Sequence, residues 1–202
     1  MGGNNLSKLH KFNSWQCDSC GELIASIDAL CGGRLIVGVG SGWMPEEFAA
    51  VGADFDARGD TTDACLRYLD EAFTDGEVDG MTVLPRPVQR PRPPIWIGGN
   101  AAVAMRRAVT FGDGWDAPYA DPLRLRDGIA RLRTFCDEAG REASSLALSV
   151  RGIPAADVDD ELLARYASLG VTDIGVTVPY DDLDRAVRTL GDLASRCGSH
   201  LA

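Results

Sequence analysis

The sequence predicts an α/β protein built on a parallel sheet with helices laid over it. Two observations carry this. Five short apolar runs recur along the chain, around 34–40, 95–97, 113–118, 146–150 and 173–178. Each is followed by a segment whose apolar residues repeat at helical spacing, and one more such segment precedes the first run. Strict alternation of apolar strand and helix is the mark of parallel pairing, because a parallel crossover needs a helix-length connection.

The elements follow in order. Leu23, Ile24, Ile27 and Leu30 outline a helix that Gly32 and Gly33 stop. Residues 34–40 then read as a strand buried on both faces. Asp60 is placed to cap a helix reaching about Thr74, with Cys65, Leu69 and Ala72 on one side. Residues 75–94 are rich in Gly and Pro and read as a long loop. Ile95-Trp96-Ile97 is the second strand, and Asn100 is placed to cap the helix that Gly112 ends. A short third strand surrounds Trp115. Asp121-Pro122 opens a helix carrying Leu125, Ile129, Leu132, Cys136 and Ala139, with Gly140 after it. Leu146–Val150 is the fourth strand, and a helix runs from about Asp157 to Gly170. Asp173–Val178 is the fifth, before a helix marked by Leu183, Val187, Leu190 and Ala194.

Two parallel architectures fit this alternation. A doubly wound open sheet is complete with five strands. A (β/α)8 barrel needs about 250 residues, and this chain has 202. Spacing alone leaves both open.

Composition narrows the function classes. There are 20 basic and 30 acidic side chains, a net charge of −10. Such a surface is a poor match for nucleic acid. An apolar content of 45% argues for a packed core. No apolar run is long enough to span a membrane, and no signal-peptide pattern opens the chain. The expected location is the cytoplasm.

The first twenty residues differ from the rest. Both lysines, Lys8 and Lys11, fall there, and every later basic residue is Arg. Asn4, Asn5 and Asn13 also fall there, whereas Asp18 is the only acid. Residues 1–20 are therefore expected to be a flexible segment, and 21–202 the folded domain. Cys17 and Cys20 form a C-x-x-C, half of a zinc site. The other cysteines are single, and His10 and His200 are the only histidines. No metal site is expected, and the remaining cysteines read as small core hydrophobes in a reducing compartment.

Ligands of parallel α/β sheets bind at the C-terminal strand ends. Three loops qualify. Gly38–Glu47 begins with alternate glycines, which either admit a ligand to the backbone or make a tight turn. Ile97-Gly98-Gly99-Asn100 runs from a strand into a helix N-terminus, where backbone N–H groups and the helix dipole favour an anion. The competing reading is an ordinary strand–turn–cap. In Gly112–Asp116, Trp115 either stacks on a planar ligand or fills the core. Glu46-Glu47 and Arg106-Arg107 read as solvated faces. A histidine triad is excluded by where the two histidines lie, so any chemistry is expected from a bound cofactor. No catalytic acid or base stands out.

Three stretches resemble the luciferase-like monooxygenase family. The first is Gly32-Gly33-Arg34-Leu35-Ile36-Val37-Gly38-Val39-Gly40-Ser41-Gly42-Trp43, with Glu46-Glu47-Phe48, Gly52 and Arg58-Gly59 after it. The second is Pro87-Val88-Gln89-Arg90-Pro91 leading into Pro93-Pro94-Ile95-Trp96-Ile97-Gly98-Gly99-Asn100. The third is Gly112-Asp113-Gly114-Trp115. The likeness runs from about Glu22 to Leu193 and is nearest to the subgroup that uses the deazaflavin F420 rather than FMN. It implies a (β/α)8 barrel, here incomplete, with about five C-terminal βα units after one helix. It implies that Gly98, Gly99 and Asn100, following Ile97, hold the cofactor phosphate. It places Gly40, Ser41 and Gly42 beside the flavin-type ring. Many members carry Asn after the Trp of the first loop, where this chain has Met44.

The resemblance further implies that the first three βα units are missing apart from the third helix, as in an N-terminally truncated or mis-started copy. The function it implies is hydride transfer or monooxygenation of a small organic substrate with F420, alternatively FMN. An inactive remnant of such an enzyme and a phosphate- or nucleotide-binding module are the competing readings. The expected partners are a small-molecule substrate and a second copy in a homodimer, with neither nucleic acid nor membrane.

Overall fold

The structure is a computed structural model that describes residues 14–118, 121–179 and 181–197, with side chains from residue 19 onward. Lys8, His10, Lys11, His200 and the side chain of Cys17 lie outside the described residues. The chain divides into two compact units, one ending at Ile95 and the other starting at Trp96.

The first unit opens with helix α1 (Ser14–Leu30). Its buried stripe is Gly21, Ala25 and Asp28, not the predicted Leu23, Ile27 and Leu30, which are exposed. Small residues win because they let α1 approach α3 (Arg58–Thr74) closely. A Cβ on Gly21 would stand 3.4 Å from the Tyr68 ring. Ala25 packs with Leu69, Ala72 and Phe73 in the core of this unit. Gly32 and Gly33, both at positive φ, end the helix as expected, and the Gly33 N–H donates to the Asp28 carbonyl at 2.9 Å.

Strand β1 is only Val37–Val39, half-buried rather than buried on both faces. Among the described residues it stands at the edge of its sheet, with a strand paired on one flank only. Its Val37 N–H donates to the Pro94 carbonyl at 2.8 Å. A short helix α2 (Pro45–Ala50) follows. Asp60 does not cap α3. The N-cap is Ala57, and Asp60 lies inside the first turn. The Asp54 carboxylate takes the turn before the helix, accepting from the Asp56 N–H at 2.9 Å. Cys65 is disulfide-bonded, which corrects the reading of that one residue as a reduced core thiol. Cys20, Cys31, Cys136 and Cys197 are free thiols.

The 75–94 loop contains a small hairpin, β2 (Glu77–Val78) and β3 (Met81–Thr82). Asp79 and Gly80 both have positive φ at its turn, as the tight hairpin turn of Asp-Gly requires. Arg86 then reaches back to the end of α3, donating from Nη2 to the Phe73 carbonyl at 2.8 Å.

The second unit carries β4 from Trp96 onward (Ile95–Gly98), β5 (Gly114–Ala117), β6 (Ala147–Pro154) and β7 (Asp173–Thr177), all parallel. The strand order is β1-β4-β5-β6-β7. It follows the chain without a reversal. A doubly wound sheet reverses order at its switch point, so this topology is of the barrel type. The sheet is an incomplete barrel with β1 and β7 as its outer strands.

Helices α4 (Ala102–Phe111), α5 (Pro122–Ala139), α6 (Asp160–Ser168) and α7 (Leu183–Cys197) follow the strands in turn. Ile97, Trp115 and Val150 on the strands and Met105, Ala108, Leu125, Ile129 and Leu132 on α4 and α5 are all buried. Asp121 caps α5 by accepting from the Leu123 N–H at 2.9 Å, and Gly140 closes it in the left-handed region. Ala139 is exposed, one turn beyond the buried stripe. Arg141 ties off α4, donating to the Val109 carbonyl at 2.7 Å. Arg107 is buried, unlike its solvated neighbour Arg106, because it shares the inner side of α4 with Met105 and Ala108.

Strand β6 runs past the predicted end at Val150, through a register shift between Arg151 and Ile153 where Gly152 has φ of 82°. Helix α6 starts three residues later than predicted. The Asp159 carboxylate, not Asp157, accepts from the Leu162 N–H at 2.7 Å. On α7 the predicted stripe is exposed, and Ala186, Thr189, Leu193 and Cys197 are the half-buried positions instead. Arg196 anchors this helix to the carbonyl of Val158 at 2.9 Å.

Candidate functional site

Of the three predicted loops, Gly38–Glu47 lies in the first unit, and Ile97–Asn100 and Gly112–Asp116 lie in the second. In the first unit, Gly40 is exposed with nothing near the place a Cβ would occupy. Ser41 is half-buried. Gly42 has φ of 79°, and a Cβ there would lie 2.6 Å from the Phe48 ring. Phe48 in turn meets Phe55 edge-on at 5.2 Å, and the Arg58 guanidinium lies 3.8 Å above the Phe55 ring. This aromatic stack braces the loop from beneath. Trp43 is 78% exposed.

In the second unit, Ile97 is buried and belongs to the core. Gly98 and Gly99 leave the strand. Gly99 has φ of 124°, and a Cβ there would stand 3.1 Å from the Ala104 Cβ. Two hydrogen bonds pin the turn. The Gly99 N–H donates to the Asp116 carbonyl at 3.3 Å, and the Trp115 indole N–H donates to the Gly99 carbonyl at 2.7 Å. Trp115 is fully buried, so it fills the core and holds the turn. Asn100 is not the N-cap of α4. Ala101 is, and it offers no side-chain acceptor to the first-turn N–H groups. The helix therefore begins with its positive end facing a turn of two glycines.

A polar cluster missed at the sequence level lies on the strands beside this turn. Gly98, Asp116 and Ser149 are in register across β4, β5 and β6. The Ser149 hydroxyl donates to Asp116 Oδ1 at 3.0 Å, and Arg151 Nε pairs with Asp116 Oδ2 at 2.9 Å. Trp96 shares the row of Gly114, where a Cβ would lie 2.6 Å from its ring. The signal was the i, i+2 pair Ser149 and Arg151 in an apolar strand, which alternation puts on one face. Among the described residues, no group of His, Cys, Asp and Glu could hold a metal ion.

The turn fits a phosphate. It has a bare backbone where a Cβ would intrude, a helix of ten residues behind it, and no capping side chain in competition. The family model for luciferase-like monooxygenases matches residues 20–196, and the chain belongs to that family. The uncharacterized protein Rv0940c of Mycobacterium tuberculosis is 34% identical over 165 residues, covering 77% of this chain and 56% of that protein. The chain thus spans a little over half the length of the relatives it matches. The FMNH2-dependent dimethylsulfone monooxygenase of Pseudomonas putida is 31% identical over 111 residues, 49% of this chain and 31% of that protein. Among solved structures, the monooxygenase RslO1 from Streptomyces bottropensis superposes with a TM-score of 0.74 at 18% identity, over 92% of this chain and 74% of that one. An F420-dependent secondary alcohol dehydrogenase follows at 0.62 and 14%, over 82% of this chain and 69% of that one. These structures share the fold. The neighbours include both F420- and FMN-dependent enzymes. Among the described residues, no helix is long and apolar enough to cross a membrane.

Proposed function

We propose that this chain binds a flavin-type cofactor, F420 or alternatively FMN, and serves oxidation–reduction of a small organic molecule. The observation that supports it best is the Gly98–Asn100 turn. Gly99 holds a conformation that L side chains rarely adopt, its carbonyl is fixed by Trp115, and the N-cap of α4 has no side-chain acceptor. Such a turn offers the N–H groups of residues 100–103 to a phosphate and needs little reorganisation to do so. Ile97 anchors the turn in the core, and Asn100 is the first polar side chain beyond it. Gly40, Ser41 and Gly42 are proposed to lie along the cofactor ring, with Phe48 keeping that loop in place. When bound, the cofactor supplies the hydride chemistry. The chain's own part is to hold the phosphate, orient the ring and keep the loops rigid.

The test is fluorescence titration of the purified chain with F420 and with FMN, repeated on Gly99→Val. Saturable binding of one cofactor, weakened at least tenfold by the substitution, is the expected result. A monodisperse folded protein that binds neither would overturn the reading. Binding without turnover would move it to a cofactor-binding protein of the same family.

A further inference from the structure

Arg151 lies on β6, yet its side chain reaches the position of β4. Its Nη2 would stand 3.0 Å from a Cβ on Gly98, so a larger residue there would crowd it. On the other flank, a Cβ on Gly175 would lie 3.1 Å from the Arg151 Cβ. Glycines on the two strands flanking β5 and β6 thus clear the path along which Arg151 extends. Between them, Asp116 Oδ2 pairs with Arg151 Nε, and the other carboxylate oxygen accepts from the Ser149 hydroxyl. Ser149 is 7% exposed and Asp116 19%, whereas Arg151 is 55% exposed.

An exposed ion pair adds little to stability, which gives little reason to build so specific a path. Its directionality gives a better one. A guanidinium has five N–H donors in a rigid fork. Fixing Nε turns the Nη edge toward the bare backbone of Gly98. That edge matches two oxygens of a phosphate or carboxylate.

We propose that Arg151 is an oxyanion-binding residue at the Gly98–Gly99 turn, and that Asp116 and Ser149 are its positioning residues. This deepens the proposed function and rests on it for the identity of the natural ligand. The oxyanion is the cofactor phosphate or an acidic group on the substrate.

The probe is inorganic phosphate, titrated into the protein and followed by 31P line broadening and by thermal shift. It is applied to the native chain, R151Q, R151K, D116N, D116A and the distant control R131Q. Phosphate should broaden and stabilise the native chain and R131Q. R151Q should lose at least tenfold in affinity, and R151K should lose less because it keeps the charge. D116N keeps a carbonyl oxygen to hold Nε while removing a negative charge 2.9 Å from the guanidinium, so it should bind phosphate severalfold tighter. D116A, which leaves Nε unheld, should bind it severalfold more weakly than D116N. A purely structural pair would instead lower the melting temperature in both R151Q and D116N and leave phosphate affinity unmoved. That result, or no phosphate response in the native chain, overturns the proposal.

An FMN and F420 arm separates the sources. If the bound cofactor loses affinity in R151Q, the oxyanion is its phosphate. If cofactor affinity is unchanged while phosphate binding still depends on Arg151, the oxyanion belongs to the substrate. If neither cofactor binds but phosphate still depends on Arg151, the cofactor reading fails and the anion site stands.

Discussion

Asp28 is fully buried on α1, and Gln89 answers both of its oxygens. The Gln89 backbone N–H donates to Oδ2 at 2.9 Å and its side-chain amide donates to Oδ1 at 2.8 Å. The same amide donates to the Leu35 carbonyl at 2.8 Å. One carboxylate thus ties α1 to the loop before β4 and to the segment before β1. Burial pushes its pKa up, but the hydrogen bonds from Gln89, with those at Val88 and Leu35, outweigh it and hold the group below its ordinary 3.8.

A depressed carboxylate pKa stabilises the fold fully above the unfolded value and less as pH falls through the folded value. The native chain should therefore lose this contribution only below about pH 4. Asp28→Ala should cost roughly 1–3 kcal/mol at neutral pH by leaving buried donors unanswered. It should also flatten this part of the acid limb. Urea unfolding midpoints measured from pH 3 to 7 check both. An unchanged acid limb in the variant would show that Asp28 is not the responsible group.

Trp115→Phe should loosen the glycine turn. A smaller aromatic ring remains in the core, and the Gly99 carbonyl loses a 2.7 Å donor. A cost of roughly 1–3 kcal/mol is expected, with faster amide exchange at Gly99 and no change at α6. Hydrogen exchange by NMR reads the difference. Equal protection in both proteins would mean the indole N–H does not hold the turn.

Gly42→Ala should destabilise the first unit by about 1–2 kcal/mol through its left-handed backbone alone. The new Cβ would also press on Phe48 and disturb its edge-on contact with Phe55. Gly38→Ala is the control, because nothing lies within 4 Å of its Cβ position. Thermal melts of the two should part clearly, with the control within about 0.5 kcal/mol of the native chain.

The helix caps give a fourth test. Asp121→Ala and Asp159→Ala should each cost about 1 kcal/mol, as lost N-caps do. Asp60→Ala should cost only a few tenths, because Asp60 meets α3 through the dipole of its first turn. Chemical denaturation ranks the three, and an Asp60 effect as large as the others would restore the capping role expected from sequence.

Much of the fold was legible because strand and helix signals coincide at the glycines. Gly140 and Asp121 bound α5 where the sequence places them, and Ile97 and Trp115 are core residues as their runs suggest. Misreadings came where two signals compete. In α1, apolar spacing favoured Leu23 and Ile27, but close helix contact favoured Gly21 and Ala25. In β6, the apolar run ends at Val150, but the strand continues through an irregularity at Gly152. Asp79-Gly80 was a hairpin signal, hidden by flanking strands of two residues each. At the candidate site, the glycine turn was readable from its residues. The Asp116–Arg151 pair was not, because it depends on strand register between segments 35 residues apart in the chain.

The unreversed strand order also bears on how the molecule assembles. Within β4 to β7, each strand finds its partner in the strand made just before it. Loop closure is short at every step, and its entropic cost grows only slowly with length. A chain emerging from the ribosome can add each βα unit to an edge that already exists, without waiting for a distant segment. The pairing pattern is thus compatible with stepwise growth of these strands in chain order.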